Sequence, residues 1–361
     1  MISELEATEF ERIRPLLQEV QHNLTITAVA EGTCPGRIWV DNAAAPRSAL
    51  VSTPEGHFLV GQRPERELAA SLKELITNTI YARGRAEGWL SFCLHYPDGD
   101  WKDVIADLVA AKCPVWDHQQ YFVLKHLRRD WRAGFPDGFT LQRVDRGLLE
   151  RADLANVQHV RGWATGNFGS LAGFLKHGFG FCITRGSEIV SWCLSDCVSG
   201  CCCEIGIHTG EGYRRQGLAA RTVAAAVEHC LASGLTHIGW HCWSSNLASA
   251  ATARAVGFEK LLDHYGVQVW FNEFDGLLVN GNLCLLQSRY ADAAEWYEKA
   301  FAMAAMGAPD VEASSVIGTA ADWGRYYHKA ACAWALAGNR RAAVRCLDRA
   351  IDTGGDRWRL F

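Results

Sequence analysis

A strand-to-helix turn that carries two arginines and a glycine is the segment of this sequence best suited to chemistry. The turn is Tyr213-Arg-Arg-Gln-Gly-Leu-Ala219, and it follows a strand-like segment that ends at Thr209. A helix that begins near Gly217 presents unpaired backbone N–H groups and its positive dipole end there, and both suit a phosphate. The glycine lets the backbone approach closely, while Arg214 and Arg215 add positive charge. The pattern therefore predicts a ligand that carries a diphosphate.

The turn resembles the cofactor motif of one enzyme family. It contains neither the G-x-G-x-x-G fingerprint of dinucleotide-binding folds nor the P-loop G-x4-G-K-[ST]. Arg214-x-x-Gly217-x-Ala219 is similar to the R/Q-x-x-G-x-G/A signature of the GNAT acetyltransferases, which cradle the pyrophosphate of CoA. That family has a further strand, matched by His237–Trp243, and then an Asn that opens a short helix ending in Gly-Phe, matched by Asn246 and Gly257-Phe258. The resemblance covers about residues 139–272.

The resemblance implies that acetyl-CoA is the cosubstrate. It assigns cofactor contacts to the end of the strand, the turn and the two helix starts: Ile207, His208, Thr209, Arg214, Arg215, Gln216, Gly217, Leu218, Ala219, Asn246 and Ser249. Simpler explanations exist for some of these residues. The arginines could be solvated surface charges, and Asn246 could serve only as a helix N-cap. The flanking arginines favour the cofactor role for Gly217.

The catalytic groups follow from the chemistry of acetyl transfer to an amine. The amine must be neutral when it attacks, so a general base is required. Glu204 lies on the strand that leads into the turn, where many GNAT enzymes carry a carboxylate base, although it could instead be a salt-bridged strand residue. His208 is a second titratable candidate, on the same side of the strand as Glu204. In the family, a backbone N–H of the strand 205–209 would stabilise the oxyanion.

A general acid is harder to assign. The family often uses a Tyr a few residues before the Gly-Phe pair, but that position is Ala253 here. Tyr265 is the nearest replacement, unless it packs in the final hairpin. Alternatively no dedicated acid is needed, because a thiolate with a pKa near ~8.5 leaves readily. The aromatic residues Trp163, Phe168, Phe174 and Phe179 could wall an acceptor pocket or belong to the core.

Alternating strands and helices predict an α+β fold. We expect an N-terminal α+β domain over residues 1–131, without a cofactor turn of its own, that closes one side of the acceptor cleft. The expected GNAT domain covers residues 138–273, as a mixed, mostly antiparallel sheet flanked by helices and splayed open near Ile207. This arrangement resembles a bacterial branch of the family with two halves.

The C-terminal residues 280–361 predict an all-α segment. Two stretches, 289–301 and 339–351, resemble each other at an offset of 50 residues, which indicates stacked helical hairpins similar to tetratricopeptide repeats. Such a tail could bind a protein partner or mediate self-association.

Composition excludes several other classes. The 361 residues are 49% apolar and 21% charged, as in a folded soluble protein. The net charge of −4, without a basic cluster, argues against nucleic acid. No apolar run is long enough for a membrane helix or a signal peptide, so we expect a cytoplasmic protein. The 14 cysteines lack paired C-x2-C spacing, so we expect no metal site and interpret them as small hydrophobic residues.

These features favour an N-acetyltransferase that acts on the primary amine of a small molecule. The alternative is a CoA-binding or degenerate GNAT module that acts as a scaffold through its helical tail. A third, weaker reading is acetylation of protein N-termini or lysines. Acetyl-CoA binding and thiol release with a panel of amines would distinguish them.

Overall fold

A computed structural model describes residues 2–97, 99–109, 111 and 113–354. Contacts divide the chain into two compact units. The first comprises residues 1–68, 94–101 and 118–266, and the second comprises residues 69–93, 102–117 and 267–361. The domain boundaries expected from the sequence, at 131–138 and 273–280, follow chain order and stay a prediction.

The first unit contains a long mixed sheet, and all of its strands contribute residues to that unit. The strands are β1 (Ser3–Glu4), β2 (Arg37–Val40), β3 (Ser48–Thr53), β4 (Gly56–Gly61), β5 (Ser91–Tyr96), β6 (Val115–Leu124), β7 (Phe139–Arg143), β8 (Gly180–Arg185), β9 (Glu188–Ser199), β10 (Cys202–Thr209), β11 (His237–Trp243) and β12 (Phe258–Trp270). Within the described residues, the twelve strands follow the order β1-β2-β3-β4-β5-β12-β6-β11-β10-β9-β8-β7. Antiparallel pairs predominate, and β10–β11 is a parallel pair. The predicted α+β class with a mixed sheet is confirmed.

Helices lie between the strands. A 3-10 helix covers Ala7–Val20, and the α-helices before the tail are α1 (Leu24–Ala30), α2 (Arg66–Leu75), α3 (Tyr81–Ala86), α4 (Lys102–Val109), α5 (Arg146–Leu149), α6 (Val157–Phe168), α7 (Leu171–His177), α8 (Leu218–Ala232) and α9 (Leu247–Val256). A π-helical segment, Ile76–Ile80, joins α2 to α3. The sequence pattern predicts helices over residues 218–233 and 247–256, and α8 and α9 agree with these ranges to within one residue at each end.

Helix α8 fixes the position of the predicted phosphate turn. Val223, Ala224 and Val227 are fully buried, in one hydrophobic cluster with Cys203 and Ile205 of β10. Small side chains let a helix pack closely on a sheet. The N-terminus of α8 is therefore held rigidly at the end of β10.

The N-terminal segment differs from the prediction. The apolar residues of 3–22 have the spacing of one helix, but the structure has β1, then the 3-10 helix, then α1. Pro15 lies inside the 3-10 helix and has no N–H to donate, which disfavours a regular α-helix. Helix α1 was not predicted, because it has only seven residues and four of them are β-branched, at positions 25, 26, 27 and 29.

The second unit contains the helical tail. Its helices are α10 (Glu273–Leu286), α11 (Tyr290–Ala305), α12 (Pro309–Glu312), α13 (Ala320–Leu336) and α14 (Arg340–Gly354). The tail begins at Glu273 rather than near residue 280, because Asn272 caps α10 by accepting the Asp275 N–H at 2.9 Å. The helical segment is confirmed, its likeness to tetratricopeptide repeats stays a prediction, and its residues 355–361 lie outside the described residues.

Candidate functional site

The sheet opens between β10 and β11. These strands pair only over Cys202–Glu204 and His237–Gly239. Beyond that point β10 continues to Thr209 with β9 alone, while β11 pairs with β6 through Trp243. The opening predicted near Ile207 therefore begins earlier, directly after Glu204. In this part of the described chain, the edge of β10 that faces the opening has no strand partner from Ile205 onward.

The predicted phosphate turn follows the end of β10 and leads into α8. Gly217 is the N-cap of α8 and has a left-handed backbone with φ of 73°, a conformation that strongly favours glycine. Arg215 has φ of 62°. Two side-chain hydrogen bonds to backbone carbonyls stabilise the turn. The Arg214 side chain donates to the Thr209 carbonyl at 3.2 Å, and the Gln216 side-chain amide donates to the Gly212 carbonyl at 3.4 Å.

The residues at this helix start fit a diphosphate. The N–H groups of Leu218, Ala219 and the next residue belong to the first turn of α8, where no helical carbonyl precedes them. Gly217 has no side chain to block their approach. A guanidinium nitrogen of Arg129 lies 3.5 Å from the position that a Cβ on Gly217 would take. Arg129 was missed by the sequence analysis, because it lies outside the matched motif.

Asn246 and Ser249 are joined at the start of α9. The Asn246 side chain accepts the Ser249 N–H at 3.1 Å, so the predicted N-cap is present. The Ser249 hydroxyl accepts the indole N–H of Trp240 at 2.9 Å. Both side chains thus have structural partners, and their contact with a cofactor stays a prediction.

We expect Asn246→Ala to lower the free energy of unfolding by about 1 kcal/mol, the usual value of an N-cap. The urea midpoint would measure this loss. Asn246→Asp is the matched control, because a carboxylate also accepts the Ser249 N–H. Equal losses in both variants would contradict a capping role.

Glu204 is buried at the inner end of the opening, and described residues contact both of its oxygens. Oε1 accepts the Leu24 N–H at 2.9 Å and an N–H from Nε2 of His241 at 3.2 Å. The Cys197 thiol donates to Oε2 at 3.6 Å. The side chain is only 3% exposed. The carboxylate is thus engaged in the protein interior.

A group of histidines extends from Glu204. His241 Nε2 also lies 2.8 Å from the His22 carbonyl, so this nitrogen faces two acceptors and carries a hydrogen. Its Nδ1 is 3.2 Å from Nε2 of His264. Burial lowers the pKa of His264 and lowers the pKa of His22 to about 4, with neighbouring His241 adding to both shifts. His264 and His22 are therefore neutral near pH 7.

Asp196 on β9 is a second acidic residue near Glu204, and its side chain lies beside Gly206 of β10. Its Oδ1 accepts the indole N–H of Trp163 and the side-chain amide of Asn167, both at 2.7 Å. Burial raises the pKa of Asp196 to about 7; the Trp163 hydrogen bond opposes this shift and the nearby Glu204 adds to it. The sequence analysis missed Asp196, although one acidic residue within an apolar strand was an available signal.

His208 and Tyr265, the other titratable candidates, occupy different surroundings. His208 is exposed and stacks on Trp192, with ring centroids 4.3 Å apart. Partial desolvation and then the charge of Arg214 lower its pKa. Tyr265 follows His264 on β12 and therefore points to the opposite face. It is 46% exposed and stacks on Tyr96, and no contact among the described residues joins it to Glu204.

The aromatic residues proposed as a pocket wall belong mainly to the core. Phe168, Phe174 and Phe179 are buried, and the first two pack edge to face. Trp163 alone contacts a polar group of the opening, through its bond to Asp196.

No group of three or more His, Cys, Asp or Glu residues among the described residues has the geometry to hold a metal ion. No helix within them has the length and apolar character needed to cross a membrane.

Comparisons with known proteins agree with this geometry. The family model described as GNAT acetyltransferase matches residues 14–266. The chain is 22% identical over 270 residues to an uncharacterized N-acetyltransferase, YdfB, of Bacillus subtilis (strain 168), covering 73% of this chain and 97% of that protein. The crystal structure of a GCN5-related N-acetyltransferase-like protein from Streptococcus suis 89/1591 is similar with 26% identity and a TM-score of 0.56, over 73% of this chain and 99% of that one.

A GCN5-related N-acetyltransferase from Sphaerobacter thermophilus has the same fold, with 12% identity and a TM-score of 0.50 over 75% of this chain and 95% of that chain. The family model covers both the N-terminal half and the half that carries the phosphate turn. The chain therefore belongs to the GNAT acetyltransferase family.

Proposed function

We propose that this protein transfers the acetyl group of acetyl-CoA to a primary amine of a small molecule. The observation that carries the proposal is the sheet opening after Glu204, along a strand that leads through the Gly217 turn into α8. A thioester lying along the free edge of β10 would have its pyrophosphate at that helix start. Acetyl-CoA supplies the acetyl group, whose C–S bond breaks as the new C–N bond forms.

Different residues of the chain would bind the pyrophosphate, stabilise the oxyanion and remove the proton. The first-turn N–H groups of α8, with Arg214, Arg215 and Arg129, would bind the pyrophosphate. Free backbone N–H groups of β10 from Ile205 onward would stabilise the oxyanion. The buried acidic groups at the opening would attract a cationic amine and remove its proton.

The N-terminal segment that contacts Glu204 supports a small acceptor. The Leu24 N–H at the start of α1 and the His22 carbonyl reach the Glu204–His241 pair. The Cys34 thiol after α1 donates to the Asp196 carbonyl at 3.8 Å. This N-terminal segment thus lies on the face that carries both carboxylates, where it would restrict a bulky protein substrate.

Calorimetric titration with acetyl-CoA, followed by thiol release with a panel of polyamines, amino sugars, aminoglycosides and amino acids, tests the proposal. We expect tight binding and turnover with at least one class of small amine. Binding without turnover on any amine would support the alternative of a CoA-binding scaffold. Failure to bind acetyl-CoA would overturn both.

A further inference from the structure

Asp196 occupies an irregular position in the sheet. Glu204 pairs with Cys197 across β9–β10, but the next residue, Ile205, pairs with Ser195. Asp196 is therefore the extra residue of a β-bulge and has no partner on β10. Bulges re-aim a side chain and are common beside active sites. This one lies where β10 leaves β11.

The bulge leaves one carboxylate oxygen of Asp196 without a partner. Oδ1 is held by two donors, from Trp163 and Asn167 of α6. Oδ2 accepts no hydrogen bond from any described residue, and the residue is only partly buried. Gly206 of β10 leaves room for this oxygen, since a Cβ on Gly206 would overlap it. The free oxygen therefore faces the segment of β10 that borders the opening.

Glu204 provides the contrast. Partners contact both of its oxygens, and its side chain is 3% exposed. Glu204 already accepts a backbone N–H and a histidine N–H on Oε1, and it would have to displace the Cys197 thiol from Oε2 to bind a substrate ammonium there. Asp196 would displace no partner, because Oδ1 accepts both of its hydrogen bonds and Oδ2 is free to bind the ammonium.

We propose that Asp196 is a catalytic residue that binds the acceptor ammonium through Oδ2 and accepts its proton, and that Glu204 is a positioning residue. This inference rests on the proposed acetyl transfer. Asp196 takes one proton from R–NH3⁺, and the neutral nitrogen forms the C–N bond as the C–S bond breaks. The second proton leaves the nitrogen for the departing thiolate, and Asp196 returns the first to solvent. The net products are the amide, the free thiol of CoA and one proton.

The surroundings of Asp196 support an acid–base role near neutral pH. Its raised pKa of about 7 is caused first by burial. The titratable groups that interact electrostatically with it are Glu204 on β10, His241 on β11, Glu55 in the β3–β4 turn, Cys34 after α1, and Cys193 and Cys197 on its own strand. Burial raises the pKa of Glu55 as well, and raises the pKa of Cys34 to about 12. The negative charge of Glu204 raises the pKa of Asp196 and that of Glu55.

The test is the pH profile of Asp196→Asn, a variant that keeps an oxygen for Trp163 and Asn167. With the best amine of the panel, kcat/KM of the parent should rise as pH increases through about 7, because the carboxylate is the active form. The variant should lose this limb and about 100-fold in kcat, the scale of general-base catalysis, with acetyl-CoA affinity unchanged within ~2-fold. Hydroxylamine, which is neutral at about pH 7, should be acetylated with a far smaller loss.

Glu204→Gln is the matched variant. It should keep the limb but move it to lower pH, because one negative charge beside Asp196 is removed. Titration of the ¹³C-labelled Asp196 carboxyl by NMR, assigned from its absence in Asp196→Asn, reads the same pKa without any acceptor. Three results would each overturn the role of Asp196. They are a rise of kcat/KM with pH that persists in Asp196→Asn, a loss of kcat that is equally large with hydroxylamine, and an Asp196 carboxyl that titrates near pH 4. Failure of the parent to bind acetyl-CoA would instead overturn the proposed function.

Discussion

Gly217→Glu is expected to weaken acetyl-CoA binding at least ~100-fold, which corresponds to about 2.7 kcal/mol. The glutamate would place bulk and a negative charge at the α8 N-terminus, where the first-turn N–H groups would bind the pyrophosphate. Charge-assisted hydrogen bonds of this kind contribute ~1.5–3 kcal/mol each. The left-handed φ of 73° also imposes strain of roughly 1 kcal/mol on any side chain there. Calorimetric titration with acetyl-CoA measures the affinity.

The other end of the same helix offers a matched control. Gly234 follows α8, has φ of 81°, and has nothing within 4 Å of the position of a Cβ. Gly234→Glu therefore adds the same charge and a comparable backbone strain, but far along the helix from the turn. It should bind acetyl-CoA as the parent does. Tight binding by a folded Gly217→Glu variant would show that the cofactor site is elsewhere.

Glu204→Ala is expected to cost about 3 kcal/mol of unfolding free energy. The substitution leaves the Leu24 N–H, 2.9 Å from Oε1, without its acceptor, while the His241 N–H keeps only the His22 carbonyl at 2.8 Å. A buried donor that loses its partner costs ~1–3 kcal/mol. The lost packing of the side chain adds to this. The urea midpoint, at constant slope, reports the loss.

Glu204→Gln removes the negative charge of this side chain but keeps a hydrogen-bond acceptor. The glutamine carbonyl can still accept from Leu24 and His241, so most of the stability should be kept. The comparison also reports on the alternative that Glu204 itself is the base. If the glutamine variant is as stable as the parent but has no turnover at any pH, Glu204 rather than Asp196 removes the proton.

Local sequence was sufficient to predict the backbone of the turn before α8 and of the neighbouring elements. The glycine that needs a left-handed φ, the Asn246 cap and the strand His237–Trp243 all lie within a few residues of their own signals. Each depends on backbone geometry that short patterns encode.

The surroundings of Glu204 and Asp196 could not be predicted in the same way. Glu204 was recognised from its strand, but its partners Leu24 and His241 are distant in sequence, the first by 180 residues. The bulge at Asp196 arises from a mismatch between two strands, which neither strand shows alone. Tyr265 was chosen by proximity along the chain, and the alternation of β12 sends it to the face opposite His264.

The central position of β6 has a consequence for how the molecule reaches its native state. This strand lies between β11 and β12 in the sheet, and Gln119–Val123 pair with Gly239–Trp243. During synthesis β6 must remain without either neighbour until more than a hundred further residues have been made. Long-range pairings of this kind slow folding and prolong the exposure of strand edges. The rate-limiting event in refolding should therefore be insertion of β6. A fragment that starts after β6 would leave β11 and β12 without the strand that lies between them.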